Sequence, residues 1–267
     1  MWASRATVLL LAVFTLVQAE TSKLPHRPNL IYILNDDTDV FLGSPDVLTQ
    51  TKALLQDNGA TFTQFRTLSP KCTPSRTGQL VGRHYHNVRP EASHPTWGGG
   101  LNQSTMFDAD GLFPMLHSHG YLTSIVGKVH NGQKDFLCSG DNVTLTESFS
   151  HVSTLCSPCG NYWGNQYVVK EIGETGTKME SPLDPDAWST YSHGQFSNRS
   201  TKFMREAVKA KRPFFAYIGT TGPHLPSIPA PWHEPQVRAW THEGRKAPRT
   251  PNFNTEEPMM PFPKPKH

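Results

Sequence analysis

The sequence predicts an α/β domain built on a mostly parallel sheet. Two continuous apolar runs, Leu30-Ile31-Tyr32-Ile33-Leu34 and Phe214-Phe215-Ala216-Tyr217-Ile218, read as strands covered on both faces, as in a parallel sheet. Strand, loop and helix patterns follow one another in repeated order. The residues best suited to chemistry, Asp36-Asp37, Lys128 and His224, each come just after a predicted strand, and Cys72 comes after another. That is where α/β folds place their sites.

Taken in order, the first strand, 30–34, follows Pro28 and stops abruptly at Asn35-Asp36-Asp37, which marks it as a central strand feeding a loop. Ser44-Pro45 supplies an N-cap and a first-turn proline. Val47, Leu48, Thr51, Leu54 and Leu55 then form an apolar helical stripe that ends near Asn58-Gly59. Residues 61–65 read as a short second strand. The segment around Cys72 is a strand-to-helix crossing whose helix ends near Gly82. Residues 87–105 are loop, rich in glycine and histidine. Leu112, Met115 and Leu116 predict a short helix closed by Gly120, and 121–126 a strand ending at Gly127-Lys128. Between 131 and 192 the only strand signal is a weak one at 167–169. Ser197 or Asn198 caps a helix whose Phe203, Met204, Ala207 and Val208 face the core, and Pro213 ends it before the strand at 214–218. Beyond Pro223 the chain is proline-rich and polar, with no closing element.

Composition narrows the class. The formal charge of +3, from 25 basic and 22 acidic residues, makes no strong field, and no basic block interleaves with aromatics as a nucleic-acid groove requires. A hydrophobic fraction of 36% with 23 prolines and 20 glycines implies long ordered loops. Arg5, the apolar stretch 6–17 and the small residue Ala19 read as a secretory signal peptide over 1–19. That stretch is too short for a good membrane span, and no second one follows, so the mature chain is expected to have no membrane span. Three N-x-S/T sequons, at Asn102, Asn142 and Asn198, fit passage through the secretory pathway. Besides Cys72 there are Cys138, Cys156 and Cys159. Cys156-Ser157-Pro158-Cys159 has the spacing of a redox pair or half a zinc site, but its polar loop setting favours a local structural disulfide.

Cys72, in Lys71-Cys72-Thr73-Pro74-Ser75-Arg76, is the most informative residue. Pro74 is tolerated in a first helical turn, and helix N–H groups together with Arg76 favour an anion there. A structural or disulfide cysteine beside an ordinary turn is the plain alternative. Asp36 and Asp37, adjacent at the end of a strand, repel each other and need a counter-charge, which a hard divalent ion such as calcium or magnesium supplies. The alternative is that one of them caps a turn. Lys128, His130 and His224 are candidate positive groups for a tetrahedral anion. His224 sits in Gly222-Pro223-His224-Leu225-Pro226, where two prolines restrict the loop.

Four segments in order then resemble one family, the sulfatases: Arg27-Pro28-Asn29 through Asp36-Asp37, the C-x-P-S-R motif of Cys72 to Gly82, Gly120-Tyr121 through Gly127-Lys128, and Pro223-His224-Leu225-Pro226. Within it the chain is most similar to members acting on 6-O-sulfated N-acetylglucosamine. The resemblance implies an alkaline-phosphatase-like sandwich with a mostly parallel central sheet flanked by helices. It implies that Cys72 is oxidised to formylglycine by the formylglycine-generating enzyme, and that its hydrated aldehyde is both nucleophile and metal ligand. Asp36 and Asp37 would bind calcium. Arg76 would steady the gem-diol and the sulfate, and Lys128, His130 and His224 would hold sulfate oxygens, with a histidine or lysine assisting departure of the alcohol. The implied substrate is a sulfated carbohydrate, and the implied location the secretory pathway, lysosomal or extracellular. The family draws further calcium ligands from an Asp-Asn-Gly segment that does not follow His224 here. Residues 20–267 are therefore expected to be the N-terminal part of a catalytic domain, incomplete at the C-terminus. A phosphatase or phosphodiesterase of the same superfamily, and a truncated, non-catalytic secreted relative, remain as alternatives at this point.

Overall fold

A computed structural model describes residues 27–40, 43–67, 69–84, 87, 111–129, 148–156, 162–184 and 188–244. The predicted signal peptide, Asn102, His130, Cys138, Asn142 and Cys159 lie outside the described residues. The elements begin with β1 (Leu30–Leu34), α1 (Ser44–Val47), α2 (Thr49–Thr51), a π-helical turn (Lys52–Gln56), α3 (Cys72–Val81) and α4 (Leu112–Ser118). They continue with β2 (Leu122–Gly127), β3 (His151–Leu155), β4 (Tyr167–Lys170), β5 (Lys178–Glu180), α5 (Ser192–Lys209), β6 (Phe214–Gly219) and α6 (Glu234–His242). One sheet runs β1-β6-β2-β3-β4-β5. Its first four strands are parallel and β4 and β5 antiparallel to their neighbours.

Burial on both faces explains why β6 and β2 are apolar throughout. Phe215 and Tyr217 point into a core shared with Ile125, Phe113 of α4 and Leu80 of α3. Phe214 and Ala216 point the other way, onto Phe203 and Ala207 of α5. The result is three layers, with α3 and α4 on one face of the sheet and α5 on the other, consistent with the alkaline-phosphatase-like sandwich.

Several expectations are corrected. β1 is an edge strand among the described elements, not a central one: Ile31 and Ile33 are each 53% exposed. α5 packs on β2, β6 and β3, so the face carrying those isoleucines runs past its cover. The helix at 44–58 breaks into α1, α2 and the π turn, its N-cap is Gly43 in the left-handed region rather than Ser44, and Val47, Leu54 and Leu55 face outward. Residues 61–65 form no strand, and Phe62 and Phe65 are exposed. α5 starts at Ser192, so Ser197 and Asn198 are interior to it. Its buried face is Phe196, Ser200, Phe203 and Ala207, whereas Val208 is exposed. The polar run His151-Val152-Ser153-Thr154-Leu155 is a fully buried strand, and α6 forms within the proline-rich stretch after Pro223, whose residues 245–267 lie outside the described residues. Cys72 is in no disulfide, and Cys156 is disulfide-bonded, in line with the expected structural disulfide. Among the described residues no helix is long and apolar enough to cross a membrane.

Candidate active site

The carboxyl ends of β1, β6 and β2 stop level with one another: Leu34 pairs with Gly219, and Gly219 with Gly127. The residues that follow are therefore delivered to one place. The Lys128 amide donates to Gly219 O at 2.8 Å, the Thr220 amide to Leu34 O at 3.0 Å, and the Asp36 amide to Gly222 O at 3.0 Å. Gly219 permits a close approach that no other residue would. A Cβ there would lie 1.9 Å from Lys128 O and 2.9 Å from Arg76 Nη1. Through that gap Arg76 reaches in from α3, one turn beyond Cys72, so the helix that starts at the cysteine also sends its cation to the strand ends.

Arg76 Nη1 donates to Lys128 O at 2.8 Å and to the Tyr217 hydroxyl at 3.3 Å, while Nη2 donates to Asp36 Oδ1 at 3.2 Å. Lys128 Nζ donates to Asp36 Oδ2 at 2.5 Å. All three charged side chains are essentially inaccessible, at 3% or less. Burial pulls the Arg76 guanidinium down, but Tyr217 and Asp36 outweigh it and hold the group above its ordinary value. Burial pushes the Tyr217 hydroxyl up, against the pull of Arg76. Among the described residues two buried cations face one buried carboxylate, an excess positive charge that is costly unless an anion answers it. The N-terminus of α3 adds its own partial positive charge at Cys72.

The structure thus brings Asp36, Arg76 and Lys128 into one network, with Cys72 half-exposed at the start of the helix that carries Arg76. Asp37 is exposed beside them with φ 59°, a left-handed conformation that aspartate tolerates better than most residues. His224 follows on the β6 loop, its Nδ1 2.7 Å from Leu225 O. Three residues not singled out from sequence hold that loop, and a fourth, Tyr217, joins the Arg76 network. Tyr162 donates its hydroxyl to His224 O at 2.5 Å, and Ser192 Oγ lies 3.2 Å from Thr221 Oγ1. His193 Nε2 accepts the Gly222 amide at 3.1 Å, and Tyr217 closes the network from inside β6. Burial, then the charges of Tyr191, Asp36 and Asp37, push the Tyr162 hydroxyl up to about 12, so it stays a donor. Burial lowers the pKa of the His193 imidazole, in keeping with its Nε2 acting as acceptor. The one available signal was the strand-end position of Tyr217. Tyr162, Ser192 and His193 come from segments without periodicity.

A cleft of about 530 Å³ opens next to this network, sharing Asn35, Thr38, Gly222 and Pro223 with its loops and lined also by Tyr191 and Trp232. Among the described residues no group of three or more His, Cys, Asp or Glu is arranged to hold a metal. Calcium takes six to eight oxygens. Asp36 and Asp37 offer carboxylates side by side, with Asp36 already engaged by two cations, so the described donors fit one side of such a site only.

The sulfatase family model matches residues 28–255, and the chain belongs to the sulfatase family. It is 27% identical over 254 residues to the extracellular sulfatase SULF-1 homolog of Drosophila melanogaster, covering 88% of this chain and 20% of that protein. It is 29% identical over 237 residues to the N-acetylglucosamine-6-sulfatase of Homo sapiens, covering 85% of this chain and 39% of that protein. A structure solved in complex with D-glucosamine-2-N,6-O-disulfate shares the fold, with TM-score 0.57 and 20% identity over 83% of this chain and 39% of that one. The chain therefore spans between a fifth and two fifths of the length of these relatives.

Proposed function

We propose that this protein hydrolyses sulfate esters of sugars, with 6-O-sulfated N-acetylglucosamine at the end of a glycosaminoglycan as the substrate class, and that Cys72 is converted to formylglycine by the formylglycine-generating enzyme. The observation that carries the reading is the buried positive excess of Arg76 and Lys128 against Asp36, reached from the helix that Cys72 begins. That charge is fixed before any ligand arrives, which is how a site stabilises the anionic oxygens of a transferring group without reorganising.

In this reading Arg76 and Lys128, both buried, act on the sulfate oxygens through their charge, and His224 gives a proton to the departing alcohol oxygen. His130, outside the described residues, is carried by the family resemblance as a further sulfate ligand. The formylglycine would supply the nucleophile by covalent catalysis. Calcium, when bound by Asp36, Asp37 and the side chain at position 72, would supply Lewis-acid polarisation of a sulfate oxygen. Tyr162, Ser192 and His193 orient the loop that bears His224. A route through the secretory pathway to the lysosome or the cell exterior accords with the extracellular sulfatase among the relatives. Asn198, exposed on α5, is the described sequon available to carry a glycan, with Asn102 and Asn142 proposed on sequence alone.

Mass spectrometry of the peptide holding Cys72, after expression with the converting enzyme, is expected to show the mass of formylglycine. Parallel assays are expected to show turnover of aryl sulfate over aryl phosphate. A persistently unmodified cysteine, or preference for the phosphate ester, defeats the reading.

A further inference from the structure

We propose that the cleft beside Asp36 and Asp37 is a carbohydrate subsite in which the pyranose ring of the ester stacks on Trp232. The proposal rests on the sulfate-ester reading above and names where the leaving alcohol is held. Its position comes first. Asn35 and Thr38, on either side of the two aspartates in the chain, form part of its wall, and so do Gly222 and Pro223 of the loop that carries His224. The cleft adjoins the network through these loops, while Asp36, Arg76 and Lys128 themselves stand outside its lining. At about 530 Å³ the cleft has the size of pockets that enclose small organic ligands.

The lining then specifies the chemistry. Among the described residues no lysine, arginine, aspartate or glutamate lines it, its titratable side chains there being Tyr162, Tyr191, His193 and His233, although it adjoins a network of three buried charges. The site is thus divided into a cationic end and a neutral end. Such a division matches a ligand with one anionic group on an uncharged body. Trp232, 50% exposed, also lines the cleft, its ring edge-to-face against Tyr191 with centroids 5.5 Å apart and planes at 77°. Tyr191 is in turn stacked on Tyr162, the residue that holds His224 O. The aromatic platform and the catalytic loop are therefore one packed unit. An indole face suits the C–H face of a pyranose, and Asn35, Thr38 and Ser227 supply amide and hydroxyl partners for its rim.

Calorimetric titration of the full chain with N-acetylglucosamine 6-sulfate, N-acetylglucosamine and sodium sulfate tests the assignment. The same titrations are made on Trp232→Ala and Trp232→Phe, each first matched to wild type by circular dichroism and melting temperature. The alanine variant is expected to bind the sulfated sugar about tenfold more weakly and inorganic sulfate unchanged, with phenylalanine restoring most of the loss. Undiminished binding of the sulfated sugar to Trp232→Ala, with sulfate still bound, overturns the subsite while leaving the sulfate-ester reading standing. Trp232-dependent binding of the unsulfated sugar with no binding of sulfate does the reverse. Tighter, Trp232-dependent binding of phenyl sulfate than of the sugar sulfate replaces the carbohydrate by an aryl ester and overturns the proposal. Should the alanine variant fail to match wild type, transfer of saturation from indole protons to the sugar ring in wild type decides, and its absence overturns the subsite.

Discussion

Asp36 and Asp37 are chemically identical neighbours, yet the turn after β1 gives them different environments. Asp36 is buried and accepts from Arg76 and Lys128, whereas Asp37 is exposed. Asp36→Asn keeps the shape and removes the charge, leaving two buried cations without a carboxylate. Loss of one partner of a buried pair costs roughly 3–5 kcal/mol. Asp37→Asn, at a position asparagine also tolerates, should change stability by no more than about 0.5 kcal/mol. Urea unfolding of both variants measures the difference, and equal losses would show that the Asp36 network contributes nothing. Asp36, Arg76 and Lys128 were legible in the sequence because each is tied to a local signal: the end of an apolar run, or a motif at a helix start. The split between the two carboxylates was not legible, nor were Tyr162, His193 and Trp232. Their roles arise only where segments distant in sequence are packed together, 29 residues apart for His193 and Gly222 and 62 for Tyr162 and His224.

At the scale of elements, the site is a consequence of three parallel strands ending level, and Gly219 is where that alignment is tightest. Gly219→Ala would drive a methyl group into Lys128 O and crowd Arg76 Nη1, atoms belonging to backbone and to a buried guanidinium with little room to give. Overpacking of this kind costs about 1–3 kcal/mol. Gly176→Ala, where an added Cβ meets nothing within 4 Å, serves as the control and should be nearly neutral. Thermal unfolding compares the two, and a Gly219→Ala protein as stable as the control would mean that the strand ends are not close-packed around Arg76. The strands flanking this point, β2 and β6, were readable because both faces are buried and every residue could be apolar. β3 was missed for the opposite reason. Its His151, Ser153 and Thr154 are buried polar residues, and a strand whose interior positions are polar has no apolar run to announce it. The start of α5 was misplaced because Ser192, His193, Gly194 and Gln195 carry no helical apolar stripe. That turn is held from outside instead, by Thr221 and Gly222 on the β6 loop.

For the whole molecule, the same buried strand sets how stability depends on pH. His151 lies 1% exposed between β2 and α5, its Nδ1 2.8 Å from Ser124 Oγ and its ring 5.3 Å from that of Phe203. Burial is the main cause that lowers its pKa from 6.5 to about 4. The carboxylate of Glu171, 4.0 Å from Nε2, opposes this, and the positive charges of Lys202 and Arg199 reinforce it. The unfolded chain therefore takes up a proton on this imidazole near pH 6.5, and the folded chain only near pH 4. Between those values the unfolded state binds more protons, so stability falls as the pH is lowered. The contribution is complete above pH 6.5, is lost progressively through the window, and levels off below about pH 4. A shift of that size corresponds to about 3 kcal/mol. Of the two destinations proposed, the cell exterior leaves this reserve intact and an acidic lysosome draws on it. Denaturant unfolding from pH 7.5 to 4 is expected to show the decline, and His151→Gln, which cannot titrate, to flatten it. A wild-type profile as flat as that of the variant would mean that His151 takes its proton as readily in the folded chain as in the unfolded one.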